Sequence, residues 1–215
     1  MGTATDAWKA LSLPWQVAFD EAWASFRSDN FGIGAVLTDP ASDDAIVTAG
    51  RNRVAQQQRV ARTLSGNMMA HAEMNAMAEL DTFNAEGLHL YTTLEPCLMC
   101  AATAMQLKVA HVHYAADDEF FDGMNDFWAG HPVTAERRPD RTGPLDGEFA
   151  AFARLLPMIY TFENLAGRSS EQLARSKHPA LADLADELTT DTTWAEIAKS
   201  GTAHRALGHL WSRLA

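Results

Sequence analysis

The strongest constraint on this chain is the distribution of its only two cysteines. Both lie in Pro96-Cys97-Leu98-Met99-Cys100, downstream of His71-Ala72-Glu73. Together the two stretches offer one imidazole, two thiols and one carboxylate. An imidazole and two thiolates suit tetrahedral zinc, and three protein ligands leave a fourth position for water. An open position turns a metal staple into a catalyst, because water there gives up its proton far more readily. Cys97 and Cys100 stand three apart, so on a helix both thiols share a face. At a helix N-terminus the macrodipole would also favour thiolate. Glu73 stands two residues after His71, in the same helical turn but pointing elsewhere. That placement suits an acid that handles protons beside a metal without ligating it.

Two other readings of the cysteines stay open on the residues alone. A CxxC pair can be a redox couple. A closed structural zinc site would need a fourth ligand, for which His89, His111, His113 and His131 are available. His111 and His113 alternate with Val109, Val112 and Tyr114, as side chains on one surface of a strand do.

The pattern along the chain is that of an α/β protein. Residues 12–27 read as an amphipathic helix, with Phe19, Trp23 and Phe26 at helical spacing and Pro14 in the first turn. Short apolar runs at 33–37 and 45–49, joined by Pro, Ser and Asp, predict a hairpin. Residues 51–67 are polar and hold Arg51, Arg53, Arg59 and Arg62. Helix formers fill 70–80, a strand fits 88–93, a second helix runs from Pro96 to about Lys108, and a fourth strand covers 109–115. This order predicts a mixed sheet with helices on both faces. Residues 1–9 read as frayed. An acidic run with paired phenylalanines, Asp117 to Gly123, follows the fourth strand at its C-terminal end, where α/β sites usually sit. It reads either as a pocket lining or as a solvated loop anchored by Phe120 and Phe121. Six glycines and prolines between 129 and 147 predict an irregular loop or lid. A helix over 145–159 should end or kink at Pro157. Residues 161–215 read as several short helices, with a capping box at Thr193-Trp194-Ala195-Glu196 and a stripe of Leu207, Leu210, Trp211 and Leu214.

The two metal-bearing stretches resemble the zinc-dependent nucleoside and nucleobase deaminases, whose signature is H-x-E…P-C-x-x-C. Thr93-Leu94-Glu95-Pro96-Cys97 resembles the branch that holds the guanine and tRNA-adenosine deaminases, and the resemblance covers roughly residues 12–130. It implies a three-layer α/β/α sandwich with a central mixed sheet. It further implies one zinc per chain on His71, Cys97 and Cys100, with Glu73 as the catalytic proton shuttle. By the same resemblance Asn52 contacts the substrate, and Phe31 to Val36 form the first core strand. Phe31 could also stack on a base. Backbone groups at Ala70 to Ala72 and the carboxylate of Asp118 complete the expected substrate contacts. A homodimer is implied, and guanine-type members can complete a site with C-terminal residues. The expected division is a deaminase domain over 1–160 and a C-terminal helical extension over 161–215, serving as cap or interface.

Charge bears on the substrate. Seventeen Lys and Arg against 28 Asp and Glu give a formal −11. Binding to polyphosphate backbones draws on basic patches. The tRNA enzymes often carry Arg-Asp after the fourth strand, where this chain has Asp117-Asp118. The expected substrate is therefore a small amino-heterocycle, a free purine base or purine nucleoside of the guanine type, with nucleic acid disfavoured. The alternatives are a tRNA-adenosine deaminase and, from another class, a non-catalytic zinc-binding scaffold. No G-x-G-x-x-G segment marks a reductase partner domain. No run is apolar enough for a membrane span and no signal segment is evident, so a cytoplasmic location is expected. Two cysteines committed to metal leave none for disulfides, in keeping with a reducing compartment.

Overall fold

The computed structural model describes residues 3–121 and 123–215; Asp122, within the acidic run, lies outside them. In chain order the helices are α1 (Ala4–Ala10), α2 (Leu13–Phe26), α3 (Ala72–Ala78), α4 (Leu98–Leu107), α5 (Met124–Ala129), α6 (Pro132–Arg137), α7 (Gly147–Asn164), α8 (Ser169–Lys177), α9 (Pro179–Thr190), α10 (Thr192–Ser200) and α11 (Ala203–Leu210). The strands are β1 (Gly34–Asp39), β2 (Ala45–Arg51), β3 (His89–Thr92), β4 (His111–Tyr114) and β5 (Asp140–Thr142). They form one sheet in the order β2-β1-β3-β4-β5. β1 is antiparallel to β2 and β3, whereas β3, β4 and β5 run parallel. The mixed sheet expected from the sequence is present.

Strand alternation divides the core in two. Ala35, Leu37, Leu90 and Val112 point to one face and pack with Ala72, Ala76 and Met77 of α3 and Ala104 of α4. Val36 and Tyr91 point to the other face and meet Trp15, Phe19 and Trp23 of α2 together with α7 and the helices beyond it. Two helical layers therefore sandwich the sheet. The aromatic side of α2 is covered from far along the chain. Trp23 donates its indole N–H to the Gly201 carbonyl at 2.9 Å, and its ring lies 5.5 Å from that of Trp194.

Several local expectations are corrected. Residues 4–10 form a helix, because Thr3 caps it through Asp6 N–H and Trp8 is buried in the core. Within 129–147 the chain makes α6 and then β5, whose pairing with β4 supplies the order that local composition did not signal. α7 continues through Pro157. The proline deprives the helix of one hydrogen bond, at a cost of about 3 kcal/mol, but Phe152, Leu155, Leu156, Met158, Ile159 and Phe162 all lie in the core and outweigh it. The capping box at Thr193 does not form. Asp191 is the cap instead, accepting from the N–H groups of Thr193 and Trp194. No described helix is long and apolar enough to cross a membrane.

Candidate active site

Two helix N-termini meet at the metal ligands. His71 is the N-cap of α3 and Cys97 the N-cap of α4, both in extended backbone conformation. β3 delivers the chain to Cys97, and the first turn of α4 brings Cys100 round beside it. The helices are therefore shorter at their starts than the pattern implied, and the ligands sit at the caps. His71 Nδ1 lies 3.5 Å from Cys97 Sγ and 3.6 Å from Cys100 Sγ, and the two sulfurs are 3.6 Å apart. A tetrahedral zinc with bonds of about 2.3 Å to sulfur and 2.0 Å to nitrogen requires edges of about 3.5 Å from nitrogen to sulfur and about 3.8 Å between sulfurs. The donor triangle has that size, so the residues fit the metal. Among the described residues this is the one group of three or more metal-binding side chains whose ligand atoms converge so closely. His89, His111 and His113 are elsewhere, stacked on one another along β3 and β4 on the same face as Tyr91, and are not part of the converging ligand group.

The electrostatics fit a cation. Cys97 is held down to about 4, first by its hydrogen bond with Cys100 and then by His71. The hydrogen bond to Cys97, and burial after it, push Cys100 up. His71 is raised, chiefly by its bond to Cys97. Glu73, only 4% exposed, is pushed up to about 7 by burial. Its neighbours oppose one another: the His71 charge lowers it and the Cys97 thiolate raises it. A carboxyl poised near neutrality next to a water-activating metal can both take and return a proton.

Asn52, 2% exposed, is fixed at the end of β2. Its N–H donates to Ile33, its carbonyl accepts from Ser25 Oγ at 2.8 Å, and its side-chain oxygen accepts from Val54 N–H. Arg53 N–H donates to the Ala70 carbonyl at 2.8 Å, which ties Asn52 to the entry of the zinc helix. Ala70 also donates its N–H to Asn67, so its backbone is engaged within the protein. Ala72 is fully buried in the first turn of α3. Phe31 packs on Tyr160 of α7, with ring centres 4.3 Å apart. Asp118 is half-buried, and burial followed by neighbouring acidic groups raises it to about 6. The Cys97 thiolate is among those groups, and Asp118 in turn raises His71, so this carboxyl and the metal ligands lie within electrostatic reach of one another.

Three supporting groups escaped the sequence reading. Asn75 donates to the carbonyls of Arg51 and Leu64 and accepts from Leu64 N–H, pinning the polar 51–70 segment to α3. Glu95 accepts from Asp118 N–H at 3.2 Å while it pairs with Arg141 of β5. Arg154 of α7 donates to Glu119 at 3.0 Å. Glu95 had a detectable signal, being an acid directly before the metal helix. The other two depend on contacts between distant segments.

A metal-binding triad of His and two Cys on an α/β/α sandwich, with a buried glutamate alongside, defines a zinc deaminase. The chain belongs to the cytidine and deoxycytidylate deaminase zinc-binding family, whose model matches residues 11–116. The tRNA-specific adenosine deaminase of Aquifex aeolicus is 30% identical over 113 residues, spanning 51% of this chain and 68% of that one. The enzyme of the same name from Streptococcus pyogenes serotype M1 is 29% identical over 133 residues, spanning 57% and 71%. Among solved structures, a guanine deaminase from Nitrosomonas europaea shares the fold with a TM-score of 0.53 at 22% identity, covering 70% of this chain and 85% of that one. The protein is an enzyme of the zinc-type deaminase class.

Proposed function

We propose that the enzyme deaminates a free amino-purine, base or nucleoside, by hydrolysis. The observation that carries the reading is Asp118, a half-buried carboxyl raised to about 6 and within electrostatic reach of Cys97 and His71. Such a group is suited to the N–H edge of a purine. A phosphodiester beside it would meet like charge. The formal charge of −11 favours the same side.

His71, Cys97 and Cys100 would hold the zinc, which makes water a nucleophile at neutral pH. Glu73 takes a proton from the attacking water and passes it to the ring nitrogen. It then carries the second proton to the exocyclic amine, which leaves as ammonia while the ring carbon keeps the oxygen. Burial holds Glu73 at a proton affinity suited to both directions. Asn52 and the N–H of Ala72 would hold the heterocycle at its polar edge. Phe31, backed by Tyr160, would cover one ring face. In this reading residues 1–160 are the deaminase domain, residues 161–215 cap it beside the pocket, and the working enzyme is a homodimer.

The second reading, deamination of a tRNA adenosine, rests on the names of the relatives at 29–30% identity. Ammonia release at matched concentrations of guanine, adenine, their nucleosides, cytosine and tRNA separates the two. Turnover of a free purine, with none on tRNA, is expected. Efficient deamination of tRNA with steeply salt-dependent binding would overturn the first reading.

A further inference from the structure

The loop that presents Asp118 is tethered by a residue about sixty positions away. This loop follows β4 and spans residues 117–121. On its inner side Glu95 accepts from Asp118 N–H, and Arg141 pairs with Glu95. Within the loop, Asp118 accepts from Phe120 N–H at 3.0 Å. On its outer side Glu119 points to the C-terminal helices. One oxygen of Glu119 accepts from Arg154 Nε at 3.0 Å and is also bonded to His178 Nε2. Arg154 further approaches Asp117 at 3.9 Å.

These side chains are 15% (Arg154), 23% (Glu119) and 29% (His178) exposed. They are thus screened less than ordinary surface pairs. The backbone of His178 is held independently. It sits at the junction of α8 and α9, its N–H donating to Ala174 and its carbonyl accepting from Ala182, both at 2.9 Å. Its imidazole is therefore not needed for the helix junction.

We propose that His178 is a positioning residue: with Arg154 it clamps Glu119 and so fixes the loop that holds Asp118 toward the substrate. The proposal rests on the reading of Asp118 as a substrate contact. It gives the C-terminal extension a role in substrate recognition while leaving zinc and Glu73 untouched.

The test uses the full zinc-loaded chain with His178→Ala and His178→Gln, since glutamine retains an N–H donor. Steady-state kinetics on the best amino-purine are combined with amide hydrogen exchange over residues 115–121. In His178→Ala, KM should rise about fivefold, equivalent to about 1 kcal/mol, with kcat changed less than about twofold. The loop amides should exchange faster, zinc should stay at one per chain, and His178→Gln should restore both KM and exchange. Unchanged KM in His178→Ala, or a rise in KM that glutamine does not reverse, overturns the positioning role. Should the wild type turn over no purine, the functional reading fails by itself. Exchange still decides the clamp: faster loop exchange in His178→Ala supports it, and unchanged exchange overturns it.

Discussion

Replacing Gly50 with alanine should dislodge the zinc helix. Gly50 lies on β2 paired with Ala35, with α3 packed over it. An added Cβ would stand 2.3 Å from Ala76 N, 2.5 Å from the Ala72 carbonyl oxygen and 2.9 Å from the Asn75 carbonyl carbon. All three are backbone atoms, so no rotamer change relieves the overlap. Ordinary contacts of this kind lie near 3.5 Å or more, so α3 must retreat by about 1 Å or β2 must bend. Overpacking costs about 1–3 kcal/mol, and a backbone clash belongs at the upper end. For a chain of this size that is about 6–12 °C in Tm, at 2–4 °C per kcal/mol. The larger effect is on function. α3 starts at His71, so its retreat opens the donor triangle of 3.5–3.6 Å between that residue and the two cysteines. Misplacement by about 1 Å can cost 10²-fold in rate. Calorimetry, elemental zinc analysis and ammonia release on Gly50→Ala test this. Wild-type zinc content and turnover, with Tm within about 2 °C, would refute the argument that close backbone approach positions the metal helix.

Glu73→Gln should keep one zinc per chain and lose turnover by at least 10²- to 10⁴-fold; activity above about a tenth of wild type would assign the protons to another group. His113 should make stability pH-dependent. Burial, and then the nearby His111 and His89, lower it to about 4. Between its unfolded pKa near 6.5 and 4 the folded chain binds fewer protons than the unfolded chain. Stability is therefore full above about 6.5 and falls as pH drops toward 4, by ~1–2 kcal/mol once discounted for partial exposure. Tm measured from pH 7 to 4 should fall less steeply in His113→Phe, and an identical slope would refute the assignment. Truncation after Tyr160 should leave an insoluble or unfolded chain, checked by soluble yield and circular dichroism. It removes Phe162, Leu184, Leu188, Trp194, Ile197, Leu207 and Leu210, all buried. At ~1.5–3 kcal/mol each they amount to about 10–20 kcal/mol, comparable to or larger than the ~5–15 kcal/mol that holds a domain folded.

The metal ligands were legible because their chemistry is local. His71, Cys97 and Cys100 are identified by residue type and spacing, and zinc demands those types wherever the chain puts them. The first four strands were legible because alternation and apolar runs are also local. β5 was not, since Asp-Arg-Thr carries no apolar signal and becomes a strand only by pairing with β4. Pro157 argued for a helix end on local grounds, and tertiary burial on both sides of it prevailed. The Thr193 capping box lost to Asp191, which caps the helix two residues earlier by accepting from the N–H groups of Thr193 and Trp194. The partners of Glu95, Glu119 and Phe31 lie 46, 59 and about 130 residues away, as Arg141, His178 and Tyr160. Nothing in a single sequence pairs such positions.

Those long-range contacts share one origin. The aromatic face of α2 leaves Trp15, Phe19 and Trp23 needing cover, and the sheet beneath offers chiefly Val36 and Tyr91, with Ile46 and Ala49 at its edge. α7, α9, α10 and α11 supply that cover, so the C-terminal helices build the second layer of the sandwich. Gly32 lets α7 approach closely, since a Cβ there would meet Leu156 Cβ at 2.7 Å. Once α7 lies in that position, Tyr160 reaches Phe31 on one side and Arg154 reaches Glu119 on the other. The helix that completes the core thereby also touches two of the expected substrate-facing loops. Zinc and Glu73 depend on α3, α4 and the opposite face of the sheet. In the proposed reading the chemistry rests on the α3/α4 layer together with the Asn52 and Ala72 contacts, and the Phe31 and Asp118 contacts are braced from the other layer. Substitutions on the pocket side of α7 should alter KM before kcat, whereas substitutions under α3 should alter zinc content and kcat together.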